Sequence, residues 1–161
     1  MTGERPLAVF DVDGVLADVR HRLRHLQGRR KDWDAFFAAA VDDPPLDEGV
    51  RLAQEADRDC EVVYVTGRPG RCRTDTVAWL ARHGLPAGEL RMRADGDRRP
   101  ARVAKPQLLG QLAAGRVVAV VVDDDAAVCE AYARAGWPVL HAGWMAAAPA
   151  LEQAQQSEGR T

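Results

Sequence analysis

Short, mostly apolar runs punctuate the chain at Leu7–Asp11, Glu61–Val65, Glu89–Met92, Val117–Val122 and Pro138–His141. They lack a strict in-out alternation, which predicts strands covered on both faces, as in a parallel sheet. Between them, Asp47–Asp57, Arg73–His83, Pro106–Ala114 and Ala126–Ala135 carry apolar residues at helical spacing, several stopping near Gly84, Gly115 or Gly136. Strand and helix alternate, so the predicted fold is α/β: a doubly wound, Rossmann-like parallel sheet with helices on both faces. Residues Ala17 to Leu46 form a small helical insertion after the first strand, with helices predicted around Val19–Leu26 and Trp33–Ala40. The predicted division is a core over 1–145 containing the insertion 17–46, then a tail over 146–161. An Ala/Gln/Glu-rich stretch from Ala146 allows a short helix, and Gln155–Thr161 reads as frayed.

Composition narrows the class. A chain of 161 residues with 47% hydrophobic residues can bury one real core, with no room for a second domain. The net charge of −2 neither drives nor forbids nucleic-acid binding, so any electrostatic recognition must be local. Cys60, Cys72 and Cys129 are odd in number and widely spaced, which points to free thiols rather than a disulfide or zinc framework. The opening residues are polar and no run approaches the ~20 apolar residues that span a bilayer. These features predict a soluble cytoplasmic protein with no membrane association; they identify no protein partner.

A doubly wound sheet binds ligands beyond the carboxyl ends of its strands, and the chemically suggestive residues all fall there. Asp11 and Asp13 follow the first strand, Thr66 the second, Arg93 the third, and Asp123 and Asp124 the fourth. Carboxylates buried at such a position need a partner such as a cation, although Asp13-Gly14 also suits an ordinary turn. In Asp123-Asp124-Asp125 three adjacent like charges call for a divalent ion between them; Asp125 is assigned to capping the helix from Ala126. An all-oxygen donor set with neither His nor Cys suits Mg2+. Thr66-Gly67-Arg68 can aim a hydroxyl and backbone N–H groups at an anion, and Lys105 stands at the start of a predicted helix.

Asp-x-Asp, then Thr66, then Lys105, then Asp123-Asp124, in this order over roughly residues 7 to 141, resembles the four signature motifs of the haloacid dehalogenase superfamily. The resemblance implies that Asp11 attacks a phosphomonoester to give an aspartyl-phosphate, with Asp13 as general acid and then general base. It further implies Mg2+ held by Asp11, the backbone carbonyl of Asp13 and Asp124, with Asp123 close by, and a phosphoryl group bound by Thr66, Gly67 and Lys105. The second aspartate, Asp13, is a mark of the superfamily's phosphatases rather than its dehalogenases.

A narrower likeness lies in Arg93-x-x-Gly96-Asp97, in Lys105 nine residues after Gly96, in Trp79-Leu80, and in Arg22 eleven residues beyond Asp11. These resemble the 3′-phosphatase domain of the polynucleotide kinase-phosphatase family, and imply that Arg22, Arg68 and Arg93 bind the substrate, a nucleic-acid 3′ end. Ala101 stands where that family has an acidic residue, Val15 where Thr is usual, and no nucleotide-binding G-x-x-x-x-G-K-[ST] loop is present. Arginines crowd the start of the insertion and the segment after the third strand, predicting a basic rim around an acidic centre. The small insertion leaves the site nearly lidless, which suits a polymer end. Alternative readings are a phosphatase of small phosphomonoesters such as nucleotides and, in another class, a non-catalytic phospho-receiver or binding module. A receiver would place its phosphorylated Asp after the acidic pair and before Thr and Lys, unlike the order here.

Overall fold

The computed structural model describes residues 3–161; Met1 and Thr2, part of the polar opening and of the core span from residue 1, lie outside them. Five parallel strands form one sheet in the order β3-β2-β1-β4-β5: β1 Leu7–Phe10, β2 Glu61–Pro69, β3 Leu90–Arg93, β4 Val118–Asp123 and β5 Val139–His141. The switch from leftward to rightward winding falls at β1, between β2 and β4, so the ends of these three strands border one crevice. Among the described residues six α-helices accompany them: α1 Trp33–Ala38, α2 Asp47–Ala56, α3 Arg73–Arg82, α4 Ala101–Leu112, α5 Ala126–Arg134 and α6 Pro149–Glu152.

Period-two alternation sorts the strand side chains onto two faces. Ala8, Phe10, Val62 and Tyr64 join Ala53, Trp79 and Leu80 in one cluster, which extends into the insertion through Phe36 and Phe37. Leu7, Val9, Val63, Val65 and Val121 join Leu109, Leu112, Val128 and Tyr132 of α4 and α5 on the other. The doubly wound α/β arrangement is therefore as predicted, and the insertion is small and helical: a 3-10 turn over Arg20–Leu26, α1, and a second 3-10 turn over Ala39–Asp42. Among the described residues no helix is long and apolar enough to cross a membrane.

Four local readings need correction. Strand β2 runs four residues beyond Val65, so Thr66-Gly67-Arg68 lies inside the strand beside a bulge in its pairing with β3, not in a loop before a helix. Arg93 likewise ends β3 rather than following it. Helix α4 begins at Ala101, directly after Pro100, which puts Lys105 in its second turn; Pro106 sits inside the helix instead of opening it. The tail is not frayed: α6 leads into a π-type turn over Gln153–Ser157, and Ala154, Gln155 and Thr161 are buried.

Candidate active site

Phe10 is the last residue of β1, and the chain then closes a tight turn in which the N–H groups of Leu16 and Ala17 both donate to the Val12 carbonyl at 2.9 Å. Gly14 makes this turn possible. Its φ is +81°, and a Cβ there would lie 2.0 Å from Asp124 Oδ2, so only glycine lets the β4 carboxylate approach. Asp11 donates its N–H to Val122 at 2.9 Å, which ties the ends of β1 and β4 together. One carboxylate oxygen each of Asp11, Asp123 and Asp124 then lies within 4.8 Å of the others.

Lys105 reaches this cluster from α4, its Nζ donating to Asp123 Oδ2 at 2.8 Å and lying 3.1 Å from Asp11 Oδ2 without hydrogen-bond geometry. Burial works against the ammonium, yet Asp11 and Asp123 hold it protonated well above the usual lysine range. Burial followed by mutual repulsion also raises the acids, Asp11 well above the carboxylate range and Asp124 up to about 7. Ionising all three carboxylates beside one ammonium would leave two negative charges, which a divalent cation would balance. Asp11 Oδ2 and Asp124 Oδ1 are buried without a hydrogen-bond partner. Hard oxygen donors, the surplus charge and the orphaned oxygens together fit Mg2+. Asp125 stays outside the cluster and caps α5, accepting from the N–H of Ala127 at 2.9 Å.

A second buried layer surrounds Asp13. Arg68 donates to its Oδ1 through Nε at 3.0 Å and Nη2 at 2.6 Å, and Arg22 through Nη2 at 2.8 Å. Burial pushes the Asp13 carboxyl up, but Arg68 and then Arg22 overcome it and hold the group well below the usual range. Both guanidinium groups also bond Asp43: Arg22 through Nε at 2.9 Å, Arg68 through Nη2 at 3.1 Å. His21 Nε2 lies 2.6 Å from the same carboxylate. Arg22, Arg68, Asp13 and Asp43 are each at most 3% exposed, so this is an interior ion network and not part of a rim. Thr76 anchors the far side of Arg68, accepting from Nη1 at 3.1 Å, and Trp79 donates its indole N–H to the Asp43 carbonyl at 2.9 Å.

Thr66, fully buried, sits at the bulge, where its Oγ1 accepts from the Arg68 N–H at 3.2 Å. Arg93 does not reach the carboxylates. Its Nε donates to the Gly67 carbonyl at 3.1 Å and its Nη1 to the Arg99 carbonyl at 2.6 Å, bracing the strand ends from behind while Nη2 stays unpartnered. The expected basic rim is thus reduced to side chains such as Arg24, Arg29 and Arg30; Arg20, Arg91 and Arg99 are spent on Asp18, Glu89 and Asp97.

Asp43, Thr161, His21 and Thr76 take part in this network although the sequence does not single them out. Asp43, in Asp42-Asp43-Pro44-Pro45, carries no motif, and nothing local distinguishes it from a solvated turn acid. Thr161 donates its hydroxyl to Asp13 Oδ2 at 3.2 Å, and its backbone packs so closely on Gly67 that a Cβ there would lie 2.2 Å from the Thr161 carbonyl carbon.

The sequence matches the family model described as the polynucleotide kinase PNKP phosphatase domain over residues 6–143. No match was found among curated proteins. A chain of the Pnkp1/Rnl/Hen1 RNA repair complex is similar in fold, with a TM-score of 0.73 and 21% identity over 88% of this chain and 43% of that one. This protein thus spans under half the length of that relative. Similar folds also occur in the haloacid dehalogenase-like protein SP0104 from Streptococcus pneumoniae (TM-score 0.65, 13% identity, 94% and 91% covered) and the class C acid phosphatase from Bacillus anthracis (0.59, 16%, 79% and 55%).

Proposed function

Because the chain belongs to the PNKP phosphatase-domain family, and is a phosphatase of the haloacid dehalogenase superfamily, we propose that it is a Mg2+-dependent phosphomonoesterase acting on nucleic-acid 3′ ends through an aspartyl-phosphate. The observation that carries this reading is the gathering of Asp11, Asp123 and Asp124, from two different strand ends, around one point. Asp11, Asp123, Asp124 and the Asp13 carbonyl would hold the cation, which when bound supplies positive charge against the phosphoryl oxygens.

An Asp11 carboxylate oxygen attacks phosphorus as the ester oxygen departs; water then cleaves the acyl phosphate and restores the carboxylate. Lys105, kept charged by its two aspartates, steadies Asp11 and meets the phosphoryl oxygens together with Thr66 and the Gly67 N–H. Asp13 gives a proton to the leaving oxygen and takes one from the attacking water. With Arg22 and Arg68 both bonded to it, Asp13 is held ionised. An incoming phosphomonoester monoanion that draws either guanidinium onto itself raises the proton affinity of Asp13 and supplies the proton it takes up, which Asp13 then passes to the leaving oxygen. The three free thiols favour a reducing, cytoplasmic setting.

The test compares Mg2+-dependent phosphate release from a 3′-phosphorylated oligonucleotide with release from a nucleoside monophosphate, beside Asp11→Asn. We expect the oligonucleotide to be the better substrate and Asp11→Asn to be inactive but folded. A wide preference for the mononucleotide overturns the substrate class, and an active Asp11→Asn overturns the nucleophile.

A further inference from the structure

Residues 158–161 lie across the mouth of this site and enter it. Glu158 pairs with Lys31 of the insertion. Gly159, with φ +57°, passes so close to the β3–α4 connection that a Cβ would lie 2.0 Å from the Arg98 carbonyl oxygen. The Arg160 guanidinium covers the Trp33 ring at 4.6 Å. Thr161 then stands between Asp13 and Gly67, beside the residues assigned above to acid catalysis and phosphate binding. The approach is anchored upstream, where Gln156 bridges Arg102 and Asp125. Nothing in the hydrophobic core requires this path, since the last buried apolar side chain is Ala154.

What the segment covers has the chemistry of a single-strand site. Trp33 is backed by Phe37, stacked at 6.2 Å, and edged by Phe36 at 5.8 Å, so its ring is a fixed platform; Arg160 lies over it. Lys31 stands beside that ring, 6.0 Å from its centroid. An aromatic surface flanked by a cation, leading to a phosphate site, is how sequence-tolerant strand binding is built: a base stacks and the backbone phosphate is neutralised. The segment supplies a substitute for each part, a planar guanidinium on the ring and a carboxylate on the lysine, with a hydroxyl at Asp13.

We propose that the channel filled by residues 158–161 is the path of the substrate strand, with Trp33 as its stacking platform and Lys31 as a phosphate contact, and that this segment is a competitive occupant which must leave before substrate enters. The proposal rests on the polynucleotide reading above and adds the route of the polymer and its gate.

Two forms open the channel differently: deletion of residues 158–161, and Gly159→Val in the full chain, which unseats the segment by collision with the Arg98 carbonyl. Steady-state kinetics with a 3′-phosphorylated single-stranded DNA octamer should show KM falling about tenfold in both, as expected if the open form is roughly a tenth of the population. In the shortened chain, Trp33→Ala should raise KM for the octamer several-fold more than KM for p-nitrophenyl phosphate. A peptide of residues 153–161 added in trans should compete with the octamer. Unchanged or raised octamer KM in both opened forms overturns the proposal, as does an equal effect of Trp33→Ala on the two substrates. If no form hydrolyses either substrate, the phosphatase reading fails on its own; fluorescence anisotropy of a labelled octamer still decides the channel, which is refuted if the opened forms bind no tighter.

Discussion

Asp43 offers a direct measure of the interior ion network. In Asp43→Ala, Arg22 and Arg68 keep only Asp13 as a counter-charge, so two positive groups share one negative inside a layer that is at most 3% exposed. Removing one partner of a buried ion pair typically costs about 3–5 kcal/mol, because the remaining charge is stranded away from water. For a chain of this size that is roughly 6–20 °C in melting temperature. Asp43→Asn keeps an acceptor oxygen for one guanidinium and should fall in between. The matched control is Asp18→Ala, whose partner Arg20 is 51% exposed in its side chain; solvent screening leaves such an exposed pair little net stabilisation. Thermal melts followed by far-UV circular dichroism read both. Activity supplies a second axis: with the guanidinium groups free to swing, kcat/KM for p-nitrophenyl phosphate should drop about tenfold to a hundredfold even where the protein remains folded. Were Asp43→Ala to melt with Asp18→Ala, the view of Asp43 as the residue that holds both arginines would be wrong.

Gly14→Ala forces a Cβ into the Asp124 carboxylate at a φ that L side chains resist, so Mg2+ affinity should fall sharply; isothermal titration showing wild-type affinity would contradict the assigned geometry. Mg2+ at a hundred times its dissociation constant should stabilise the native protein by about 2.7 kcal/mol, an effect that chelation reverses and Asp124→Asn removes. Asp97 is held at about 2, chiefly by the Arg99 side chain. A depressed carboxyl pKa adds stability that is complete above the ordinary value of 3.8 and is lost as pH falls toward 2. Asp97→Asn should therefore flatten the acid limb of the stability curve between those limits while destabilising the protein at neutral pH.

The parts of this molecule that were legible in sequence are those with a local cause. A Val-rich run ending in Asp123-Asp124-Asp125 announces a central strand and a charge problem at its end, and the structure brings Asp123 and Asp124 beside Asp11. Lys105 stands out through its place in the order of the motifs, although α4 begins at Ala101 and not at Pro106. Asp43 could not be found this way, since its importance comes entirely from partners 21 and 25 residues distant in sequence. Arg22 belongs by sequence to a basic rim bordering the strand ends and Arg68 to the substrate contacts; only tertiary pairing with two carboxylates makes their burial tolerable, and that pairing has no local signature. Thr161 was unreadable for a similar reason: a polar, Gly-containing segment has no periodicity, and its order comes from a groove supplied by other elements.

Two indoles hold the loops that carry the two carboxylates of the buried network, Asp13 and Asp43: Trp144 donates its N–H to the Val15 carbonyl at 2.8 Å and Trp79 to that of Asp43. The chain contains four tryptophans, and these two are clipped to the loops that carry Asp13 and Asp43. The protein therefore carries its own optical probe, and a rapid-mixing instrument could time the arrival of phosphate without any attached dye.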